Sequence, residues 1–303
     1  MLRKIKDILK KNEDLLTLWH LARRAYFKYF FTDREFIKKE FKRRLGREVD
    51  LDNPFKFNDK LQWLKLNWQD PLAAKCADKY AVRKVVKERI GERYLNELYG
   101  VYDSVEEIDL DTLPEQFVLK CTHGSGFNII SRDKNRMDWK REFKKLRRWM
   151  RINYYWRTRE WVYKDIKPRI ICERYLEEPE TGELRDYKIF CFNGQPRLIQ
   201  VDFSRFTDHK RNVYDLNWNL KEVEIAYPFD KNVVIEKPEK LPEMLELSKK
   251  LSAGFPHVRV DFYYYKKRII FGELTFFRGS GMQEVKPGEF EIQMGRWLKL
   301  PEK

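Results

Sequence analysis

The 303-residue sequence predicts an α+β protein built on antiparallel sheets. Two alternating apolar runs, Tyr187 to Phe192 and Arg197 to Phe203, flank Asn193-Gly194, a strong hairpin signal. A second pair, Val258 to Tyr263 and Ile269 to Phe276, flanks the basic turn Lys266-Lys267-Arg268. Apolar residues at three-and-four spacing lie in other stretches, so helices and hairpins are segregated along the chain.

In chain order, residues 1–49 form a basic helical segment. Leu15, Leu18, Trp19, Ala22, Tyr26, Tyr29 and Phe30 recur at helical spacing, with Lys10, Lys11, Arg23, Arg24 and Lys28 around the stripe. Such a helix either docks its aromatic side on its own domain or lies on an anionic membrane surface. Residues 50–115 are a second helical region. A helix capped by Asn58 or Asp59 runs through Trp63-Leu64, and another spans about 78–90, opened by Asp78 and ended near Gly91.

Residues 116–192 make a small lobe. It holds a strand at Phe117 to Cys121, a glycine loop at His123 to Asn128, a strand at Ile129-Ile130 and a basic helix with Trp139, Phe143 and Leu146 on one face. An aromatic-basic run from Tyr154 to Tyr163 follows, which either stacks on and neutralises single-stranded nucleic acid or forms a packed hairpin, and then a strand from Arg169 to Leu176. Residues 193–303 make a large lobe, with a helix at 241–252, the second hairpin and the loop Arg278-Gly279-Ser280-Gly281.

Composition excludes several classes. Charge interrupts every apolar run before the ~18 residues a membrane span needs. The four cysteines, Cys76, Cys121, Cys172 and Cys191, lack C-x-x-C spacing, and four unpaired histidines offer no zinc or haem site. Without a cleavage-site pattern after Trp19, a cytoplasmic location is expected. The net charge of +15 is concentrated: residues 132–169 carry 15 Lys/Arg against 5 Asp/Glu, and residues 1–49 carry 15 against 7. Confined positive charge attracts polyanions such as phosphates, acidic polysaccharide, anionic lipid or nucleic acid.

Three constellations carry chemistry. Lys120 ends a strand just before Gly124-Ser125-Gly126, giving an ammonium and close-approaching backbone N–H groups of the kind that cradle phosphates, though Gly-Ser-Gly is equally an ordinary turn. Arg259 and Asp261 share one face of a strand, and pairing across the basic turn brings Glu273 beside Asp261. The two carboxylates either share Mg2+ with phosphate oxygens or are satisfied by Arg259. Cys172-Glu173-Arg174-Tyr175-Leu176, leaving a sheet, offers backbone groups suited to a purine edge.

The order and wording of these pieces resemble the ATP-grasp superfamily, and more narrowly its TupA-like branch associated with teichuronopeptide biosynthesis. The resemblance covers about residues 55–300. It is carried by Ala77-Asp78-Lys79-Tyr80-Ala81-Val82-Arg83, Phe117 to Gly126, Ile171 to Leu176, Asp186 to Gly194, Arg259-Val260-Asp261 and Phe271-Gly272-Glu273-Leu274-Thr275-Phe276. It implies an ATP-grasp fold of two α+β lobes clamping a nucleotide, with ATP and Mg2+ as cofactors. Lys79 and Lys120 are then the phosphate lysines, and His123, Gly124, Ser125 and Gly126 the closing loop. Glu173, Arg174 and Leu176 become the adenine hinge, and Asp186 or Glu180 the ribose acid. Lys188 lies near the phosphates, Asp261, Glu273 and Thr275 hold metal, and Arg259 steadies the transferred phosphoryl group. Thr275 stands where most of the superfamily has Asn. Arg278, Ser280 and Gly281 resemble the loop that holds the acceptor.

The implied reaction is an ADP-forming carboxylate–amine ligation through an acyl phosphate, on a cell-surface polysaccharide or capsule precursor. The expected partners are an acidic glycan or uronic-acid acceptor and an amine or amino-acid donor, with peripheral contact to an anionic membrane at its cytoplasmic face. Three rivals stay open: a kinase on the same fold, a basic nucleic-acid binder, and a glycosyltransferase, whose D-x-D motif has only Asp109-Leu110-Asp111 to match it, a pair that reads as a solvated loop or helix cap before Pro114.

Overall fold

The computed structural model describes residues 25–26, 29–177, 184–203 and 208–302. The apolar stripe from Leu15 to Ala22 and the acid Glu180 lie outside the described residues. Among the described residues are eight helices and twelve strands.

Helix α1, Asp33–Leu45, opens with a capping box: Thr32 Oγ1 accepts from the Glu35 N–H, and the Glu35 carboxylate accepts from the Thr32 N–H. Helix α2, Phe57–Asn67, begins at buried Phe57, and neither Asn58 nor Asp59 caps it. Both expected caps serve tertiary contacts instead. Asn58 Nδ2 donates to the Gln283 carbonyl at 3.0 Å, and Asp59 accepts from Arg47 at 2.9 Å. The helix expected over 78–90 is shorter. After α3, Pro71–Ala77, Asp78 folds its carboxylate onto the N–H groups of Tyr80 and Ala81, and helix α4 starts only at Val82, running to Arg89. The tight link at 78–81 sets Lys79.

The first sheet contains β1 (Leu98–Tyr102), β2 (Phe117–Cys121), β3 (Asn128–Ser131) and β4 (Ile170–Arg174) in the order β1-β4-β2-β3, all antiparallel. Alternation divides β2 cleanly: Phe117, Leu119 and Cys121 pack under helix α5, Trp139–Met150, while Val118 and Lys120 face away. The run Tyr154 to Tyr163 is not a hairpin. It makes the short helix α6, Tyr155–Thr158, and a 3-10 turn at Trp161–Tyr163. The chain reverses at Arg159 with φ 58°, and its buried guanidinium sits over Phe36 and Trp156 and pairs with Asp33 at 3.1 Å. Packing across to α1 therefore overrides local strand propensity.

The second sheet runs β11-β10-β5-β6-β7-β8. Its strands are β5 (Asp186–Phe192), β6 (Gln195–Phe203), β7 (Lys210–Tyr214), β8 (Leu220–Lys221), β10 (His257–Tyr265) and β11 (Arg268–Thr275). Both expected hairpins are present, with Asn193 and Gly194 at φ 47° and 75° in the turn. Because β5 pairs here, the division between sheets falls before Asp186 rather than after Phe192. Helix α7, Leu241–Ser252, covers the apolar face. A small ribbon joins β9 (Glu224–Ile225) to β12 (Val285–Lys286), and helix α8, Gly288–Trp297, packs back on α2.

The core explains the cysteines: all four are buried, and burial pushes their thiols up to about 12. His257 is also buried, among Phe57, Phe190 and Phe192, with Nδ1 on the Cys191 carbonyl at 2.9 Å. Burial drops its pKa to about 3. From pH 6.5 downward the unfolded chain binds a proton that the folded chain refuses, so stability present above that pH is lost as pH falls. His257→Phe should flatten this acid limb by about 2 kcal/mol between pH 6.5 and 5, seen in urea midpoints at the two pH values.

Candidate active site

The polar face of the second sheet carries a continuous row of charge. Asp261 on β10 lies opposite Glu273 on β11 and Lys188 on β5, and Lys188 lies opposite Gln200 on β6. One residue pair further along, Asp186 faces Asp202, which faces Arg211 on β7. The first sheet turns Lys120, Ile171, Glu173 and Asn128 toward this row. Between the sheets lies a cavity of about 190 Å³ whose wall includes Lys79, Arg83, Lys120, Ser125, Gly126, Glu173, Asp186, Asp261 and Glu273.

On the lysine side, Lys79 is half-buried and its Nζ donates to the Gly124 carbonyl. Burial lowers its pKa; Glu273 pulls it up and Lys120 pushes it down. Lys120 Nζ donates to Glu173 at 2.7 Å, and Arg83 Nη1 holds the other oxygen of Glu173 at 3.1 Å. Gly126, at φ 77°, has open space where a Cβ would stand, so backbone at this point can approach a ligand closely.

On the carboxylate side, both Asp261 oxygens accept from Arg259, at 2.6 Å each, and Lys188 Nζ lies 3.2 Å away. Arg259 also reaches Glu273 at 3.3 Å and the Thr275 hydroxyl at 3.1 Å, and that hydroxyl donates to Glu273 at 3.0 Å. Burial raises the Asp261 carboxyl against the pull of Arg259 and Lys188. Burial also works on Glu273, yet Lys79, Arg259 and Lys188 hold its carboxyl below the ordinary range. Lys188 Nζ additionally donates to Asp186.

The structure brings most of the expected site residues to one place, with exceptions. His123 lies outside the cavity wall. It is buried, its Nε2 meets the Trp149 carbonyl at 3.1 Å, and it ties the glycine loop to α5. Gly124 contributes only its carbonyl to Lys79; a Cβ there would meet Phe127 and Tyr154 at 2.9 Å. Arg174 and Leu176 are also absent from the wall. The Arg174 N–H donates to the Glu97 carbonyl, and its own carbonyl accepts from Asn96, so the two residues just before β1 have claimed the backbone groups assigned to a purine hinge. Thr275 orients Glu273 from behind. Asp109 accepts from the Asp111 N–H at 3.0 Å as the cap of a 3-10 turn, which leaves the D-x-D pair a structural role.

Arg278, Ser280 and Gly281 are buried beside the row. Their anchors, Gln62 and Lys65, are unmarked in the sequence. Gln62 Nε2 donates to the carbonyls of Ser280 and Gly281, at 3.1 and 2.7 Å. Lys65 Nζ donates to the Ser280 carbonyl (2.7 Å), the Ser280 hydroxyl (2.8 Å) and the Thr158 carbonyl (3.0 Å). These bonds hold Gly279, Ser280 and Gly281 in left-handed backbone, at φ 52°, 62° and 60°. The available signal was two polar residues, i and i+3, on the apolar side of α2 beside Leu61 and Leu64. Lys65→Met should cost about 2 kcal/mol and speed amide exchange at 278–282, since the Thr158 carbonyl would lose its ammonium donor and the Ser280 carbonyl would keep only Gln62.

Two antiparallel sheets that oppose lysines and a glycine loop to a carboxylate row define an ATP-grasp protein. The chain belongs to the family described as TupA-like ATP-grasp, which matches residues 59–299. No curated protein sequence matches the chain. Among solved structures, D-alanine–D-alanine ligase from Bacillus anthracis complexed with ATP aligns at 16% identity and TM-score 0.39, over 67% of this chain and 54% of that one. The Helicobacter pylori D-alanine–D-alanine ligase aligns at 12% identity and TM-score 0.43, over 82% and 70%. The ATP-grasp ligase PsnB, complexed with a phosphomimetic precursor variant, Mg and ADP, aligns at 11% and 0.42, over 80% and 66%. The chain thus spans about half the length of the B. anthracis ligase.

ATP and Mg2+ are the cofactors expected of this family, and the donor set fits them. Lys79 Nζ, with a single oxygen partner, keeps capacity for phosphate oxygens beside Lys120. Among the described residues no group of three or more His, Cys, Asp and Glu gathers as a metal cluster. Mg2+ needs no such cluster. It commonly takes one or two carboxylates, here Asp261 and Glu273, and completes its shell with phosphate oxygens and water.

Proposed function

We propose that the chain is an ATP- and Mg2+-dependent carboxylate–amine ligase acting on a cell-surface polysaccharide or its precursor. The observation that carries the reading is the opposition of Lys79 and Lys120 to Asp261 and Glu273 across one cavity. Bound ATP supplies the phosphoryl group that activates a carboxylate, and Mg2+ offsets the triphosphate charge. The chain's own residues bind and orient. Lys79 and Lys120 grip phosphate oxygens, Ser125 and Gly126 close over them, and Arg259, carried between Asp261 and Glu273, offers its guanidinium where negative charge develops. Tyr154 and Tyr163, packed edge to face with ring centroids 5.0 Å apart, lie near Glu273.

The acidic character of the acceptor is supported by α5. Lys140, Arg141, Lys144, Arg147, Arg148 and Arg151 fall on one side of this helix, opposite Trp139, Phe143, Leu146 and Met150. A ladder of this kind suits a uronic-acid polymer, with an amine or amino acid as second substrate. Peripheral contact with anionic membrane at the cytoplasmic side belongs to the same reading.

The test is product analysis with ATP, Mg2+, uronic-acid acceptors and a panel of amines. ADP release with an amide product supports the ligase; a phosphorylated acceptor would make the protein a kinase on the same fold. Replacing Lys140, Lys144 and Arg148 by Gln should raise KM for a polyanionic acceptor about 10-fold at low salt and abolish most of the salt dependence. An unchanged KM would remove the glycan assignment.

A further inference from the structure

Arg278, three residues beyond β11, is 2% exposed. Among the described residues its Nε and Nη1 have no hydrogen-bond partner, and its Nη2 makes only a long bond, 3.3 Å, to the Ile225 carbonyl. Arg211 on β7 donates from Nη1 to that same carbonyl at 2.5 Å, and from Nε to Asp202 at 2.6 Å. Two guanidinium groups therefore converge on one neutral oxygen. The neighbouring carboxylate, Asp202, is already engaged by Arg211, His209 and Gln200.

Burial drives the basicity of Arg278 well down, and the nearby Arg211 and Arg259 add to the effect. A buried cation with unmet donors, crowded by like charge, is costly unless an anion completes it. The location gives that anion a purpose. Asp202 and Arg211 continue the row that begins at Glu273, Asp261 and Lys188, and Arg278 lies over Phe190, the register partner of Arg259.

We propose that Arg278 and Arg211 form a subsite for an oxyanion, a carboxylate or phosphate group of the acceptor, beside the phosphoryl-transfer site. The Ile225 carbonyl, on the two-stranded ribbon of β9 and β12, occupies the place of that oxyanion and is displaced by it. The inference rests on the ligase reading for its purpose, while its physical content is anion binding.

The experiment uses the full chain saturated with Mg·AMPPNP, so that the triphosphate site is filled, and titrates inorganic phosphate and acetate separately by calorimetry. One or both should bind the wild type, the stronger probe marking a phosphate or a carboxylate source. Arg278→Met should weaken that binding about 10-fold or more. The same variant should melt no lower than wild type, because it removes an incompletely paired buried charge. Equal binding to wild type and Arg278→Met, or no binding of either probe to wild type, overturns the subsite. If Arg278→Met does not fold, the slowly exchanging arginine Nε–H resonances of the wild type replace it, and a phosphate or acetate titration that leaves them unmoved is equally negative. Failure of AMPPNP itself to bind would strike the nucleotide reading instead, and is read in a separate titration.

Discussion

Lys79→Met is expected to weaken Mg·AMPPNP binding about 100-fold, the loss of a charge-assisted phosphate contact in a desolvated site. Lys79 is held by local geometry: the Asp78 carboxylate bends residues 78–81, and the half-buried ammonium emerges against the Gly124 carbonyl. A half-buried lysine with one oxygen partner among the described residues and lowered basicity is incompletely solvated in the free protein, so a triphosphate gains most of its interaction. Methionine keeps the shape and removes the charge, and thermal stability should be unchanged or higher. Calorimetric titration of the two proteins decides it; affinities within about threefold would mean that Lys79 is a structural lysine.

The second large effect concerns stability. Gly295 in α8 lies against the start of α2, where a Cβ would stand 2.2 Å from the Phe55 carbonyl oxygen and 3.1 Å from the Phe57 nitrogen. Alanine normally improves a helix interior by about 1 kcal/mol. Here it has to push two backbones apart, and Gly295→Ala should destabilise by about 3 kcal/mol. Because α2 carries Gln62 and Lys65, the same displacement should disturb the loop at 278–281. Urea unfolding measures the first effect, and amide exchange at 278–282 the second. A neutral or stabilising Gly295→Ala would show that α8 and α2 are not in this contact.

How far the sequence reveals this molecule depends on the range of the forces involved. Asn193-Gly194 fixes a hairpin within a few residues, and β5 and β6 stand where alternation puts them. Two-residue spacing also places Arg259 and Asp261 on one face, with Glu273 across from Asp261. The pattern left open whether those acids meet Mg2+ or arginine. The structure has Arg259 gripping both Asp261 oxygens while Glu273 keeps a side chain 41% exposed toward the cavity. What the sequence conceals is long-range. The contacts of Asn58 with Gln283 and of Lys65 with Ser280 span more than 200 residues, and no local pattern identifies their partners. Strand β1 is too short and too evenly half-buried to alternate, and Asn96 and Glu97, just before it, take the Arg174 backbone that the hinge motif had suggested for a purine.

The most direct measurement is a crystal structure of the chain with AMPPNP and Mg2+. The triphosphate should lie between Lys79 and Lys120, and Mg2+ should be held by Asp261 and Glu273, with Arg259 turned from Asp261 toward the γ-phosphate. Nucleotide bound elsewhere, or Asp261 still clasped by Arg259 on both oxygens with no metal beside it, would contradict the account.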